Sequence, residues 1–484
     1  MTIRMDEGAA ELLDTLHRAG YAAYVVGGCV RDSLLGLTPH DWDLCTSALP
    51  QQVMELFGAQ RCIPTGLQHG TVTVKQSGAL YEITTFRTEG TYTDGRHPDE
   101  VHFVPDVRED LARRDLTINA MAYNEKEGLV DPFGGQADLQ SGIVRAVGVP
   151  RQRFTEDALR ILRLYRFAAR FGFAIDPPTA QAAQELFKET PVKVTVYGRD
   201  EVERIGLTAF LEVGKGSIHE PKLIVMEYTG AQDVESRLGL IGKGLTYDSG
   251  GYSLQSSEFM ETMQHDMSGA AAVMAALWAT QKRGLRINIT GVVAACENKL
   301  SATAYVPGDV IRSMSGRYIE VNNTDAEGRI TLADAVTYTK QCCGVDRIVD
   351  IATLTDGIQT ALGNRRCGAF TNNRALTAQV EKGAAAACER MWELPCDENL
   401  RRVLDSRVAH LKNSAMGSSV GGYATVGAMF VKEFVEETPW IHLDIGGTAW
   451  TTECEGIYTK GGIGFGTRML YETFKVMEKE GSQV

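Results

Sequence analysis

Hydrophobic and polar positions alternate along this chain in two textures. Near the start, Glu7 to Ala19 carries apolar residues at helical spacing, and Ala22-Ala-Tyr-Val-Val26 follows as a buried strand ending in Gly27-Gly28. Val72-Thr-Val74 and Ala79 to Thr85 read as strands joined by a turn at Gln76-Ser-Gly78. Thr155 to Phe171 has a strong helical period, with Thr155 as N-cap, Glu156 and Asp157 in the first turn and Gly172 beyond the end. Asp176-Pro-Pro178 interrupts that pattern, and Thr179 to Lys188 predicts one more helix. Beyond about residue 190 glycine becomes denser. Strand-like Leu223–Met226 and Arg347–Ile351 alternate with helical runs such as Met267–Arg283, which predicts an α/β domain. The change of texture places a boundary near 184–192. No 20–50-residue repeat is evident.

Composition narrows the classes. At 484 residues the chain is several times one ordinary domain, so at least two are expected. Apolar residues at 44% and charged residues at 23% argue against a fibrous or largely disordered protein. No apolar run approaches the ~18 residues of a membrane span, and the first residues lack the apolar core of a secretory signal. The ten cysteines include no C-x-x-C pair, so a zinc knuckle or disulfide framework is not expected and a reducing, cytoplasmic setting is. Net charge is −13, and residues 1–186 hold 18 Lys/Arg against 25 Asp/Glu. Neither half has the broad basic surface of a general nucleic-acid binder, so such contacts must come from local clusters. The densest is Arg151, Arg153, Arg160, Arg163, Arg166 and Arg170.

Two constellations carry chemistry. In the first, Gly27-Gly28-Cys29-Val30-Arg31-Asp32 ends a strand and opens a helix, where backbone N–H groups can approach phosphate. Asp41-Trp42-Asp43, if in a strand, points both carboxylates to one face, able to grip Mg²⁺, with Glu82 as a possible third. Arg113-Arg114-Asp115 through Asn119 offers cations for a triphosphate and an amide for a sugar. Asp157 and Arg160, as neighbours on a helix, could read a nucleobase edge.

The strings VVGGCVRDSLLG, DWDLCT, ARRDLTINAMAY and RFTEDALRILRLYRFAARFGF make residues 1 to about 186 resemble the head and neck of class II CCA-adding tRNA nucleotidyltransferases and poly(A) polymerases. The resemblance implies that Gly28 and Arg31 contact the nucleotide, Asp41 and Asp43 hold Mg²⁺ catalytically with CTP or ATP, and Arg114 meets the triphosphate. Asp157 and Arg160 would select the base, assisted by Arg163 and Arg166, and tRNA 3′ ends would be the partner. The helical body and tail that such enzymes use to hold tRNA do not follow residue 186.

The second constellation is Ile241-Gly-Lys243 to Asp248-Ser-Gly-Gly251, then His265-Asp266, then Asn323-Thr-Asp325-Ala-Glu327-Gly-Arg329. Four carboxylates and a lysine in a glycine-rich frame suit hard or borderline dications, with Mn²⁺, Zn²⁺ and Mg²⁺ all open. A lysine ligates only when neutral, a form that a neighbouring dication favours. Gly244 occupies the Ser/Thr position of a phosphate-binding loop, which excludes that motif.

With VGKGS at 213–217, DIATLT at 350–355 and PWIHLDIGGTAW at 439–450, residues from about 190 to 484 resemble the catalytic domain of the leucyl aminopeptidase (M17) family. The resemblance implies that Lys243, Asp248, Asp266, Asp325 and Glu327 bind two metals, Mn²⁺ or Zn²⁺, whose bridging water attacks the scissile carbonyl of peptides with free N-termini. It implies that Arg329 holds a bicarbonate base and that the chain forms a hexamer. Two positions depart: Gln255 stands where the family carries its catalytic lysine, and Asp356 where it usually has glycine. Losing a transition-state donor costs roughly 10²–10³ in rate.

The expected architecture is therefore multidomain: an α+β polymerase-β-like nucleotidyltransferase head over 1–140 and a helical, nucleobase-reading neck over 141–188. An α/β zinc-exopeptidase-like domain with a central mixed sheet flanked by helices covers 189–484. The expected activity is leucine-type peptide hydrolysis, with Gln255 at the catalytic-lysine position as the point where it would be impaired. Nucleotidyl transfer to tRNA is the alternative, and a non-catalytic binding protein or an artificial join a further one.

Overall fold

A computed structural model describes residues 3–39, 41–90, 100–157, 159–188, 190–453, 458 and 460–481. The chain divides into two compact units, Met1–Glu189 and Thr190–Val484.

In the first unit, Asp6 caps the helix Glu7–Arg18 by accepting from Gly8 N (3.1 Å) and Ala9 N (3.2 Å). Its Leu12, Leu13 and Leu16 face a core shared with Val25, Val72 and Ile83. That core lies on a sheet of β1 (Ala23–Val26), β2 (Leu44–Thr46), β3 (Cys62–Gly66), β4 (Thr71–Gln76), β5 (Ala79–Thr85), β8 (Ala122–Asn124) and β9 (Gly128–Val130). Their order is β3-β4-β5-β2-β1-β8-β9, with only β2–β5 parallel. β6 (Arg87–Glu89) and β7 (Val101–Phe103) form a separate ribbon. β10 (Ile143–Val144) pairs in parallel with β11 (Ala174–Ile175), beside helices Pro150–Glu156, Leu159–Phe171 and Pro177–Lys188.

Two local expectations are corrected here. The helical period over 155–171 is broken, because Asp157 adopts an extended conformation (φ −143°, ψ 106°) and accepts from Leu159 N. Thr155 is therefore inside the preceding helix rather than its cap, its hydroxyl donating to Arg151 O. Asp41-Trp42-Asp43 precedes β2 as irregular backbone, so no strand pleat aligns the two carboxylates.

The second unit is built on eight strands: β12 (Val192–Tyr197), β13 (Lys222–Thr229), β14 (Leu238–Asp248), β15 (Asn288–Asn298), β18 (Arg347–Ala352), β19 (Arg366–Thr371), β20 (Arg390–Glu393) and β22 (Trp440–Asp444). Their order is β12-β13-β15-β14-β18-β22-β19-β20. The central β15-β14-β18-β22 set is parallel, while β12–β13, β13–β15 and β22–β19 are antiparallel, so the sheet is mixed. A smaller sheet joins β16 (Val310–Arg312), β17 (Tyr318–Glu320) and β21 (Leu411–Lys412). The central strands are apolar on both faces because helices cover both. Ile241, Leu245 and Val292 pack with Phe430, Phe434 and Trp440 in one cluster, and Leu240, Val293 and Ile351 pack with Leu277 and Phe474 in another. Among the described residues no helix is long and apolar enough to cross a membrane.

Candidate metal centre and a partnered basic site

The parallel strands of the second unit end together, and the polar residues that the sequence singles out collect there. Lys243 and Asp248 lie on β14, Asp266 just before the helix Ser268–Arg283, and Asp325 and Glu327 at the start of the helix Glu327–Cys342. Ligand atoms of Asp248, Asp325 and Glu327 all lie within 4.8 Å of one another. Lys243 Nζ sits 2.8 Å from Asp266 Oδ1, 2.9 Å from Glu327 Oε1 and donates to Thr353 O at 2.8 Å. Gly328 makes that approach possible, since a Cβ there would fall 2.6 Å from the ammonium. Gly250, at φ +82°, likewise leaves room for Asp325 Oδ1.

Burial is severe. Lys243, Asp248, Asp266 and Glu327 are all buried. Asp266 Oδ2, Asp325 Oδ1 and both oxygens of Glu327 are enclosed without a hydrogen-bond donor; the Glu327–Lys243 contact is an ion pair outside hydrogen-bond geometry. Desolvation, then repulsion from Glu327, pushes the Asp325 carboxyl up to about 7. Desolvation also lifts Asp266 to about 7, though Lys243 opposes the rise. Asp248 is raised too, by burial and then by Glu327 and Asp266. Burial works against a charge on Lys243, but Asp266, Glu327 and Asp248 outweigh it and hold the lysine protonated. One ammonium among four carboxylates leaves a strong deficit of positive charge, and the donor-free oxygens are what a divalent cation would satisfy. The residues present fit such an ion.

Surrounding groups fix the ligands. Asp248 accepts from Asn298 Nδ2 (2.8 Å), Gly250 N (2.8 Å) and Gln255 Nε2 (2.9 Å), and Thr353 Oγ1 donates to Asp266 at 2.6 Å. Arg329 is buried, donates to Asn413 O at 3.0 Å and leaves Nε without an acceptor. Burial brings its guanidinium down to about 10. Asp356 starts the helix Asp356–Leu362, and its charge adds to the repulsion that raises Asp325.

Asn298, Thr353 and Asp444 escape a reading from sequence. Thr353 and Asp444 sit inside DIATLT and PWIHLDIGGTAW, but nothing in those strings reveals that Asp444 accepts from Thr355 Oγ1 at 2.7 Å. Nor do they reveal that Asp350 holds buried His442 and Trp440 Nε1. The only hint is three polar residues, Asp350, His442 and Asp444, inside otherwise apolar strands.

The profile described as "Cytosol aminopeptidase family, catalytic domain" matches residues 174–471. The chain belongs to the cytosol aminopeptidase family. A probable cytosol aminopeptidase of Clostridium tetani is 44% identical over 292 residues, 60% of each chain. Another from Clostridium perfringens is 44% identical over 294 residues, covering 60% of this chain and 59% of the relative. One from Aquifex aeolicus is 39% identical over 331 residues, 66% of each. The chain thus spans about 60% of the length of the first two cytosol aminopeptidases. Residues 23–145 match a different profile, the poly A polymerase head domain.

In that head the candidate residues mostly face one another. Arg31 is buried, donates from Nη1 to Asn119 Oδ1 (2.6 Å) and from Nε to Asp32 (2.8 Å), and lies over the rings of Phe167 and Phe171. Arg113 is held by Asp110 and Glu89, and Arg163 by Asp115. Arg160 is buried against Glu156 (2.7 Å) and near Glu89, so it does not share a helix face with Asp157, which corrects that expectation. Gly28 opens the helix Gly28–Leu34, and Arg166 is exposed. Arg114 is less fully matched: its Nη2 lies 3.6 Å from Asp110 Oδ2, but its Nε is buried with no acceptor, and it packs so close to Gly27 that a Cβ there would lie 2.9 Å from Nη1. Asp43 keeps a solvent-accessible surface, yet crowding by protein atoms, then the charge of Glu82, raises it to about 6. Asp41 and Glu82 do not converge with Asp43 as tightly as the 4.8 Å cluster of the other unit.

Proposed function

We propose that this chain is a two-metal aminopeptidase acting on leucine-type N-termini of peptides. The observation that carries the reading is the cluster of Asp248, Asp325 and Glu327 with buried, donor-free oxygens. Asp248, Asp266, Asp325, Glu327 and a neutral Lys243 would hold two divalent ions. The carboxylate-rich set suits Mn²⁺ or Zn²⁺. When bound, such ions polarise a carbonyl and supply a nucleophilic water at neutral pH.

The chain's own residues do the rest. Lys243 gives up its proton when it turns from ion-pair partner to ligand. Thr353 and Asn298 keep Asp266 and Asp248 oriented. Arg329, with a free Nε in a dry setting, holds a small anionic base, with bicarbonate as the candidate. Gln255, at the family's lysine position, donates to Asp248 and brings no cation to the negative charge developing on the carbonyl. Without a cationic charge it stabilises that charge less, so turnover is slow. Hydrolysis of leucine amide in Mn²⁺ or Zn²⁺ tests the reading, and no release of ammonia at any metal level would sink it.

A second reading assigns nucleotidyl transfer to the head: Mg²⁺-dependent addition of CMP or AMP from CTP or ATP to tRNA 3′ ends. Arg114, with an unsatisfied buried Nε beside Gly27, supports an anion there, and Asp41 and Asp43 would hold the metal. On this reading 1–140 is the head, 141–188 the base-reading neck with Asp157, Arg160, Arg163 and Arg166, and 189–484 the peptidase. Labelled-CMP incorporation tests it. A hexamer is the assembly proposed for the peptidase half, checked by sedimentation.

A further inference from the structure

β18 ends at the candidate metal centre, and the residues after it lead outward to an uncommitted carboxylate. Thr353 stands inside the centre, where its carbonyl accepts from Lys243 Nζ and its hydroxyl donates to Asp266 Oδ1. Thr355 lies beside Arg329: a Cβ added at Gly427 would be 2.9 Å from Thr355 Cγ2 and 3.4 Å from Arg329 Nη2. Asp356 follows, exposed to solvent, and opens the helix Asp356–Leu362. Three residues of chain span at most about 11 Å, so Asp356 stands on the rim of the metal centre, outside its buried ligands.

The metal centre feels this charge. After desolvation and Glu327, Asp356 helps to raise Asp325, and it opposes the desolvation that lowers His265, the residue before Asp266. Nothing in the second unit answers it. Among the described residues the Asp356 carboxylate has no ion-pair or hydrogen-bond partner. Residues 454–457, 459 and 482–484, the rest of that unit, include no Lys, Arg or His. Arg329 is not its counter-ion: burial lowers that guanidinium, and the acids opposing the fall are Glu327, Asp444 and Asp325. Gln255, which reaches both Asp248 and Asp325, is neutral. Two dications would balance the four ligand carboxylates and leave the charge of Asp356 unmatched. An exposed aromatic ring stands next to it. Tyr423, at the start of the helix Tyr423–Val435, has its Cβ 3.1 Å from where a Cβ on Gly357 would lie. A solvent-facing carboxylate beside an aromatic side chain suits a long cationic side chain, whose stem packs on the ring while its head meets the acid.

We propose that Asp356 is a specificity-determining residue that selects peptides with a lysine or arginine side chain immediately after the cleaved bond. The proposal rests on the aminopeptidase reading and names the substrate class of that site. The position follows from exposure: the buried ligands take the amino end, and a rim carboxylate meets the residue beyond the scissile amide. An acid in the first turn of a helix also favours the helix dipole, but that role is indifferent to the charge of the substrate.

Calorimetry on the full, Mn²⁺-loaded chain tests this with leucyl dipeptide amides whose scissile amide is replaced by an uncleavable methylene-amine link. The second residue is lysine, norleucine or glutamate. The lysyl ligand is expected to bind about threefold to fivefold tighter than the norleucyl one, the scale of an exposed ion pair, and the glutamyl ligand more weakly than either. The lysyl advantage should shrink with added salt. Asp356→Asn is expected to abolish the difference, Asp356→Glu to keep it, and Asp356→Lys to reverse it in favour of the glutamyl ligand. Equal binding of the three ligands overturns the proposal, as does a lysine preference that Asp356→Asn and Asp356→Lys retain. Should one variant fail to fold, the other two decide. Selective binding without hydrolysis of leucine amide would remove the aminopeptidase reading and leave Asp356 as the selector of bound peptides; hydrolysis without selectivity does the reverse.

Discussion

The two units use the same residue types and arrive at opposite electrostatic states. In the head, Arg31, Arg113, Arg160 and Arg163 each meet a carboxylate, so charge is largely cancelled inside the protein. In the second unit one lysine faces four carboxylates, and several of their oxygens have no donor at all. Buried carboxylates without partners cost several kcal/mol each unless protonated or matched by a cation. A site in that state is poised for a metal, whereas a site of matched pairs must first open its ion pairs to take a triphosphate. Counting charged residues in a motif does not separate these cases; counting their unsatisfied atoms does.

The largest effects should come from removing that imbalance. Asp325→Ala or Glu327→Ala is expected to lower leucine amide hydrolysis by roughly 10³-fold or more, the scale of several kcal/mol of metal-supplied stabilisation. The same variants should leave any CMP incorporation by the head unchanged, and the paired change Asp41→Asn with Asp43→Asn should do the converse. Initial rates of both reactions on one preparation check this, and cross-effects would break the comparison. Next, Gln255→Lys should raise hydrolysis by roughly 10²–10³-fold by restoring a cationic donor beside Asp248. An unchanged rate would remove the role given to position 255.

Smaller effects probe the scaffolds rather than the sites. Phe434→Ala, in the core of the second unit, should cost about 3–5 kcal/mol, and Leu16→Ala in the head about 2–5 kcal/mol, read by urea denaturation. Asp6→Ala should cost only about 1 kcal/mol, because it removes a cap from a helix that its buried leucines still anchor.

Much of the fold was legible because it rests on local pattern. The helix Glu7–Arg18, the strands Thr71–Gln76 and Ala79–Thr85, and the helix Ser268–Arg283 follow from periodicity and caps. The break at Asp157 was not, since a side-chain cap overrode a continuous helical period. Nor was the loop at Asp41–Asp43, where alternating polarity imitates a strand that begins only at Leu44. At the metal centre, the ligand types were visible in NTDAEGR, but the supports from Thr353 and Asn298 come from the ends of strands far apart in sequence. Their roles depend on register, which a single chain does not display.

The central claim is that the carboxylates of Asp248, Asp266, Asp325 and Glu327, with Lys243, cage divalent cations. Calorimetric titration of the chelator-treated chain with Mn²⁺ tests it most directly. Uptake of two ions per chain, lost in Asp325→Ala and Glu327→Ala, is the predicted result; no uptake, or uptake that both variants retain, contradicts it.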